Sequence, residues 1–159
     1  MPQVPAALAG GPPGSDTAGH AMAPIVDQLL AAMNAHDLDT VVALMHPDYH
    51  SEQPAHSARE FGSSAQVRSN WQAMFSGIPD FRAELLRSVD DGATCWSEWH
   101  WSGTRTDGEP FEMRGVALFD LREDRIAAAR LYMEPVEHDG EPIEGGSVEN
   151  LSGERPSAP

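Results

Sequence analysis

The sequence predicts an α+β fold in which three helices precede a long antiparallel meander and cover one face of it. Three observations carry that prediction. Apolar residues recur at three-and-four spacing in the first part of the chain, from about residue 24 to Gly77. After about residue 80, four strand-like runs are separated by short turn sequences. The length, 159 residues, suits a single domain with one core.

Each element has its own signal. Pro24 suits a first helical position, and Val26, Leu29, Leu30 and Met33 then mark one buried helix face. Asp37 caps a second helix with Leu38, Val41, Val42 and Met45 on its apolar side, and His46-Pro47 stops it. A short strand is expected from Tyr49 to Glu52. Ser63 with Gln66 forms a capping box for a third helix, which buries Val67, Trp71, Met74 and Phe75 and ends at Gly77. Strands are expected over about 80–89, 93–105, 110–121 and 125–136. Their separators, Asp90-Asp91-Gly92, Thr106-Asp107-Gly108 and Arg122-Glu123-Asp124, are short enough for neighbouring strands to pair as hairpins.

The two ends read differently. Residues 1–23 hold four Pro, four Gly and six Ala without a period, and residues 138–159 are rich in Gly, Pro and acid. Both are expected to be disordered tails flanking a domain at 24–137.

Composition excludes several kinds of function. The formal net charge is −15, and such a surface repels phosphate backbones and anionic lipids, so neither nucleic acid nor membrane is an expected partner. There is no lysine, which removes Schiff-base chemistry and the P-loop lysine. Cys95 is the one cysteine, so no intrachain disulfide or thiolate cluster forms, and it reads as a small buried apolar group. No apolar stretch approaches the roughly 20 residues of a membrane helix, and no signal-like segment opens the chain, so a cytoplasmic location is expected.

Chemistry concentrates on the strands. Side chains alternate across a strand, so Arg130, Tyr132 and Glu134 share one face, as do Trp99, Trp101 and Arg105, and as do His50 and Glu52. Two readings of the Arg130 row stand side by side: a solvated polar face with Tyr132 at its edge, or the wall of a pocket. His46, His50 and His56 straddle a helix end, a strand and a loop, so no metal site is expected.

Ala32-Met33-Asn34-Ala35-His36-Asp37-Leu38-Asp39, Trp-Ser-Gly-Thr at 101–104, and the run from Gly115 through Asp124-Arg125-Ile126 to Glu134 resemble the SnoaL-like branch of the nuclear transport factor 2-like superfamily. The resemblance spans roughly residues 24–137. It implies a cone-shaped fold of three N-terminal helices on a curved antiparallel sheet enclosing a cavity, and a homodimer. The superfamily includes polyketide cyclases, ketosteroid isomerases and limonene epoxide hydrolases. Its cyclases have an acid/base carboxylate eight residues beyond the Ile of the last strand, which counts to Glu134. The epoxide hydrolases have Arg, Tyr and Asp at alternate positions there, matched by Arg130, Tyr132 and Glu134. Their Arg–Asp pair on an earlier strand becomes Trp99 and Trp101, and the Tyr and Asn that hold water before a Pro become His50 and Glu52. For the isomerases, the catalytic Asp becomes Gln53 and an oxyanion-hole acid becomes Gly115, which disfavours steroid isomerisation.

The resemblance therefore implies a cofactor-independent acid/base enzyme, a cyclase, isomerase or hydrolase acting on a small apolar oxygenated molecule. Glu134 is its expected acid/base group, with His50 and Glu52 as partners across the cavity. Tyr132, Arg130, Trp99, Trp101, Arg105, Trp71 and Met113 are its expected substrate-binding residues. The alternative is a non-catalytic small-ligand binding or accessory domain of the same fold.

Overall fold

A computed structural model describes residues 24–139. Helix α1 spans Pro24–Asn34 and α2 spans Leu38–Ala43. Strand β1, Met45–Glu52, and a 3₁₀ turn at Ser57–Arg59 lead into α3, Ser64–Gly77. Strands β2 (Arg82–Asp90), β3 (Thr94–Thr104), β4 (Pro110–Arg122) and β5 (Arg125–Pro135) complete a sheet of order β1-β5-β4-β3-β2. The consecutive strands β2 to β5 pair antiparallel, as the turn sequences predict. The two expected tails fall outside the described residues, apart from positions 138 and 139. No described helix is long and apolar enough to cross a membrane.

The helix caps follow the sequence signals. Asp37 accepts from the Thr40 amide at 3.0 Å and Ser63 accepts from the Gln66 amide at 3.1 Å. The second arm of the expected capping box is not made, because the Gln66 side chain donates forward to Asn70 instead. In the β4–β5 turn, Glu123 and Asp124 both take positive φ (52° and 57°), so a two-residue loop joins the strands without glycine.

One element begins earlier than expected. The second helix stops at Ala43, and the chain is already extended at Met45 because Met45 pairs with Ile126 and the Leu44 carbonyl accepts from the Ile126 amide at 2.9 Å. Strand β1 thus runs parallel to β5 on a sheet edge. Its register shifts between Met45 and His50, and Pro47, which has no N–H to give a ladder, sits inside that irregular stretch. His46 Nδ1, accepting from Arg122 at 2.9 Å, fastens the same stretch to the end of β4.

The core lies between the helices and the inner face of the sheet. Val26, Leu29 and Met33 of α1, Val41 of α2 and Val67 of α3 meet Cys95, Trp99, Phe119, Ile126 and Ala129. The Asn34–Asp37 segment is structural throughout. Asn34 clamps the backbone of Ala83 on edge strand β2 through two hydrogen bonds of 2.8 and 2.9 Å. His36 donates to the Phe81 carbonyl at 3.0 Å and stacks on Phe75, and Asp37 is the α2 cap. Each satisfies backbone or ring surface that would otherwise be stranded at a helix end or sheet edge.

Candidate functional site: a cleft between α3 and the inner sheet face

Pairing register assigns every strand residue to a face. Trp99 sits opposite Gly115, which sits opposite Met133; Ser97 sits opposite Ala117, which sits opposite Leu131. The inner row of β5 is therefore Ala129, Leu131 and Met133, and the inner row of β1 contains Tyr49 and Ser51, both buried. Arg130, Tyr132 and Glu134 occupy the outer row.

The cleft lies where the sheet curves away from α3. Tyr49, Ser51 and Gln53 form one wall, Val67, Trp71 and Met74 of α3 another, and Trp101 and Leu131 the floor. Phe61 borders the opening and is held there by a two-way backbone bridge with Ser51, at 2.8 and 3.1 Å. The cleft encloses about 180 Å³, and a deeper lobe of about 60 Å³ continues between Leu29, Met33, Trp99 and Phe119. That is below the roughly 300 Å³ at the small end of drug-sized pockets, and suits a ligand of one or two rings.

No residue lining the cleft carries a charge. Its polar atoms belong to the neutral groups Tyr49, Ser51, Gln53, Asn70 and Trp101. Burial raises the Tyr49 phenol above its ordinary range, with the nearby Ser51 hydroxyl opposing weakly, so Tyr49 stays protonated at neutral pH. Ser51 Oγ and Trp101 Nε1 are buried and reach no hydrogen-bond partner. Trp99 shows the satisfied alternative two residues away. Its indole N–H donates to Ser97 Oγ at 2.8 Å, and that hydroxyl donates to the Ala117 carbonyl at 2.7 Å.

The expected catalytic trio does not meet across the cleft, which corrects the expected geometry. His50 and Glu52 face outward and lie 3.5 Å from each other, while Glu134 is held 2.8 Å from His56. Arg130 faces Asp120 at 3.6 Å on the outer face, and Tyr132 is 46% exposed. Among the expected binding residues, Trp71 and Trp101 line the cleft and Trp99 lines its deep lobe. Met113 packs against the core, and Arg105 sits at a turn with its guanidinium 6.0 Å from the Phe111 ring centre. The physical reason for the outward row is alternation itself. In Arg130-Leu131-Tyr132-Met133-Glu134 the apolar residues take the core side, and burying the other row would strand two charges.

The position of Gly115 also has a packing cause. A Cβ there would lie 2.8 Å from Met133 Cα and collide with the Tyr132 carbonyl oxygen, so no side chain can enter the site from this point. Sequence reasoning missed Tyr49, Ser51, Phe61 and Asn70. The available signal is parity: Tyr49 and Ser51 form the other row of the strand that carries His50 and Glu52.

Solved structures with the same architecture come from several bacteria. An uncharacterized cystatin fold protein from Novosphingobium aromaticivorans is 26% identical, with a TM-score of 0.58 over 70% of this chain and 97% of its own. An LEH-like epoxide hydrolase of M. tuberculosis is 19% identical, with a TM-score of 0.61 over 82% of this chain and 92% of its own. A protein of ketosteroid isomerase-like fold from Catenulispora acidiphila, solved with trimethylamine, is 16% identical, with a TM-score of 0.60 over 67% and 82%. No curated protein matches. The SnoaL-like domain family matches residues 26–129, most of the described chain. With three helices, a curved open sheet and that match together, the chain belongs to the SnoaL-like domain family.

Proposed function

We propose that this protein is a binding domain for a small, largely apolar organic molecule, which it holds without cofactor in the cleft between α3 and the inner sheet face. The observation that carries this reading is the lining itself, aromatic and aliphatic side chains with a few convergent neutral polar groups and no ionised one. The setting is the cytoplasm, and the partner is a small molecule rather than nucleic acid. The homodimer implied by the resemblance belongs to the same reading, and mass measurement on dilution tests it. Native mass spectrometry of the protein purified from its own host should find a retained neutral molecule, and a set of one- and two-ring compounds should perturb Trp71 and Trp101 fluorescence. If nothing is retained and no compound perturbs those residues, the reading fails.

A second reading, an acid/base cyclase, isomerase or hydrolase, is favoured by one contact. Glu134 and His56 form a carboxylate–imidazole pair at 2.8 Å, and the His56 amide donates to the carbonyl of Gln53, a residue of the cleft wall. In that reading Glu134 transfers the proton, with His50 and Glu52 on the same outer face of the sheet, level with Ala128 and Arg130 of β5. Glu134→Gln should then abolish turnover of an identified substrate; unchanged turnover discards it.

A further inference from the structure

The walls of the cleft are not equally fixed. Helix α3, through Val67, and the sheet, through Trp99 and Ala129, are anchored in the core. The mouth is bordered instead by Gln53 and Phe61, the two ends of a loop that follows β1. Strand β1 ends beside Arg130, so the rest of β5, from Leu131 to Pro135, has no strand on that side, and the loop begins where the ladder stops. Leu131, on the cleft floor, is the first residue of that uncovered stretch.

The loop is held at two points. At its base, Ser51 and Phe61 exchange backbone hydrogen bonds of 2.8 and 3.1 Å, and the Phe61 ring lies 6.1 Å from that of Tyr49. Farther out, His56 Nε2 donates to Glu134 Oε1 at 2.8 Å; an ionised carboxylate only accepts, so this nitrogen carries the proton. Among the described residues, no other side chain of 54–60 has a hydrogen bond or an ion pair, and every residue of that stretch except His56 is exposed. The hydrogen bonds given by the His56, Arg59 and Glu60 amides stay within the loop. A segment with so few buried contacts opens locally at a lower cost than core strands do. Resting on the binding reading above, we infer that residues 53–61 form a gate at the cleft mouth, latched by the His56–Glu134 contact. When the latch and the base bridge part, Gln53 and Phe61 move away from Tyr49 and Leu131; when they re-form, the mouth narrows around what has entered. Glu134 is then a positioning residue that acts through His56, and the pair has a use although neither member lines the cleft.

Amide hydrogen exchange of the full chain tests the opening without any ligand. The Ser51 and Phe61 amides, which close the base of the gate, should exchange about twofold to fivefold faster in His56→Ala, as loss of a partly exposed pair gives, while the amides of β3 and β4 keep their rates. Glu134→Gln, which keeps an acceptor for the imidazole N–H but loses the charge, should show a smaller rise. Unchanged Ser51 and Phe61 rates overturn the latch. So does an equal rise throughout β3 and β4, which would make the contact a prop for the whole fold. Gating itself is read with 2-naphthol, a neutral two-ring probe, by stopped-flow fluorescence. A gate that opens more often speeds entry and exit alike, so association and dissociation rates should both rise about twofold to fivefold in His56→Ala, with the dissociation constant unchanged. A change confined to the dissociation rate overturns the gate while leaving a ligand site in place. Absence of 2-naphthol binding overturns the gate, and with it the binding reading if no other compound of the set above perturbs Trp71 and Trp101.

Discussion

The inner and outer faces of the sheet are made by the same five strands and are offset by a single residue, yet they are chemically opposite. Inward, the rows through Trp99, Gly115, Met133 and Tyr49 carry no charge. Outward, carboxylates meet arginines and histidines in succession: Arg87 with Glu98, His100 with Glu112 and Glu84, Arg130 with Asp120, His50 with Glu52, and Glu134 with His56. The difference teaches that in a half-buried sheet, residue type alone does not locate a site. Ionisable side chains collect on the face where their charge costs least, and a site on the buried face is then recognised by what it lacks and by the few polar groups left unsatisfied.

The strongest way to break this arrangement is where β4 and β5 leave no room for a side chain. Gly115→Ala should destabilise the fold by about 3 kcal/mol or more, measured by urea unfolding, because its Cβ meets backbone rather than the yielding end of a side chain. Parity itself is tested by a neighbouring pair. Leu131→Asp puts a carboxylate on the uncharged cleft floor and should cost about 2 to 3 kcal/mol and all ligand binding, whereas Tyr132→Asp, one residue along, should change stability by less than about 1 kcal/mol. Equal costs would mean that the faces are assigned wrongly. Ser51→Ala should be neutral or stabilising by up to about 1 kcal/mol in the absence of ligand, since it removes a buried hydroxyl that has no partner. A clear loss of stability would show that the hydroxyl is satisfied in solution.

The smallest effect is on the outer face and depends on pH. Desolvation pushes the Glu112 carboxyl up, but the His100 hydrogen bond together with the charges of His138, His100 and Arg114 outweighs it, and the net pKa is held below the usual carboxylate range. A depressed folded pKa contributes stability that is present above the unfolded pKa and lost as pH falls through the folded one. Glu112→Gln should therefore flatten the acid limb of the stability curve and leave ligand affinity unchanged. If the acid limb keeps its shape, the His100–Glu112–His138 contacts are too well solvated to matter.

Much of the fold was legible because its signals are local. Helix caps at Asp37 and Ser63, the apolar spacing of Val26, Leu29 and Met33, and the hairpin separators all act within a few residues, and the described structure follows them. What was not legible depended on distant partners. The start of β1 at Met45 is set by Ile126, some eighty residues later, and no local pattern around His46-Pro47 announces a parallel edge strand. The roles of Asn34 and His36 were equally hidden, since their partners are carbonyl and amide groups at Phe81 and Ala83. For the site, Trp71, Trp99 and Trp101 are among the binding residues expected from the sequence and line the cleft, whereas the rows of β5 and β1 that carry Glu134, His50 and Glu52 lie on the outer face of the sheet.

By itself, then, the sequence determined the class of fold, the order of its elements and the chemical contrast between alternating rows, because periodicity, caps and turn residues are properties of neighbours along the chain. Only the tertiary structure decided which row faces the helices, that Ser51 and Trp101 share one cleft, and that each is left there without a partner. These are facts about register and curvature, and register is set by the burial of whole strands against a core, which no single strand can specify alone.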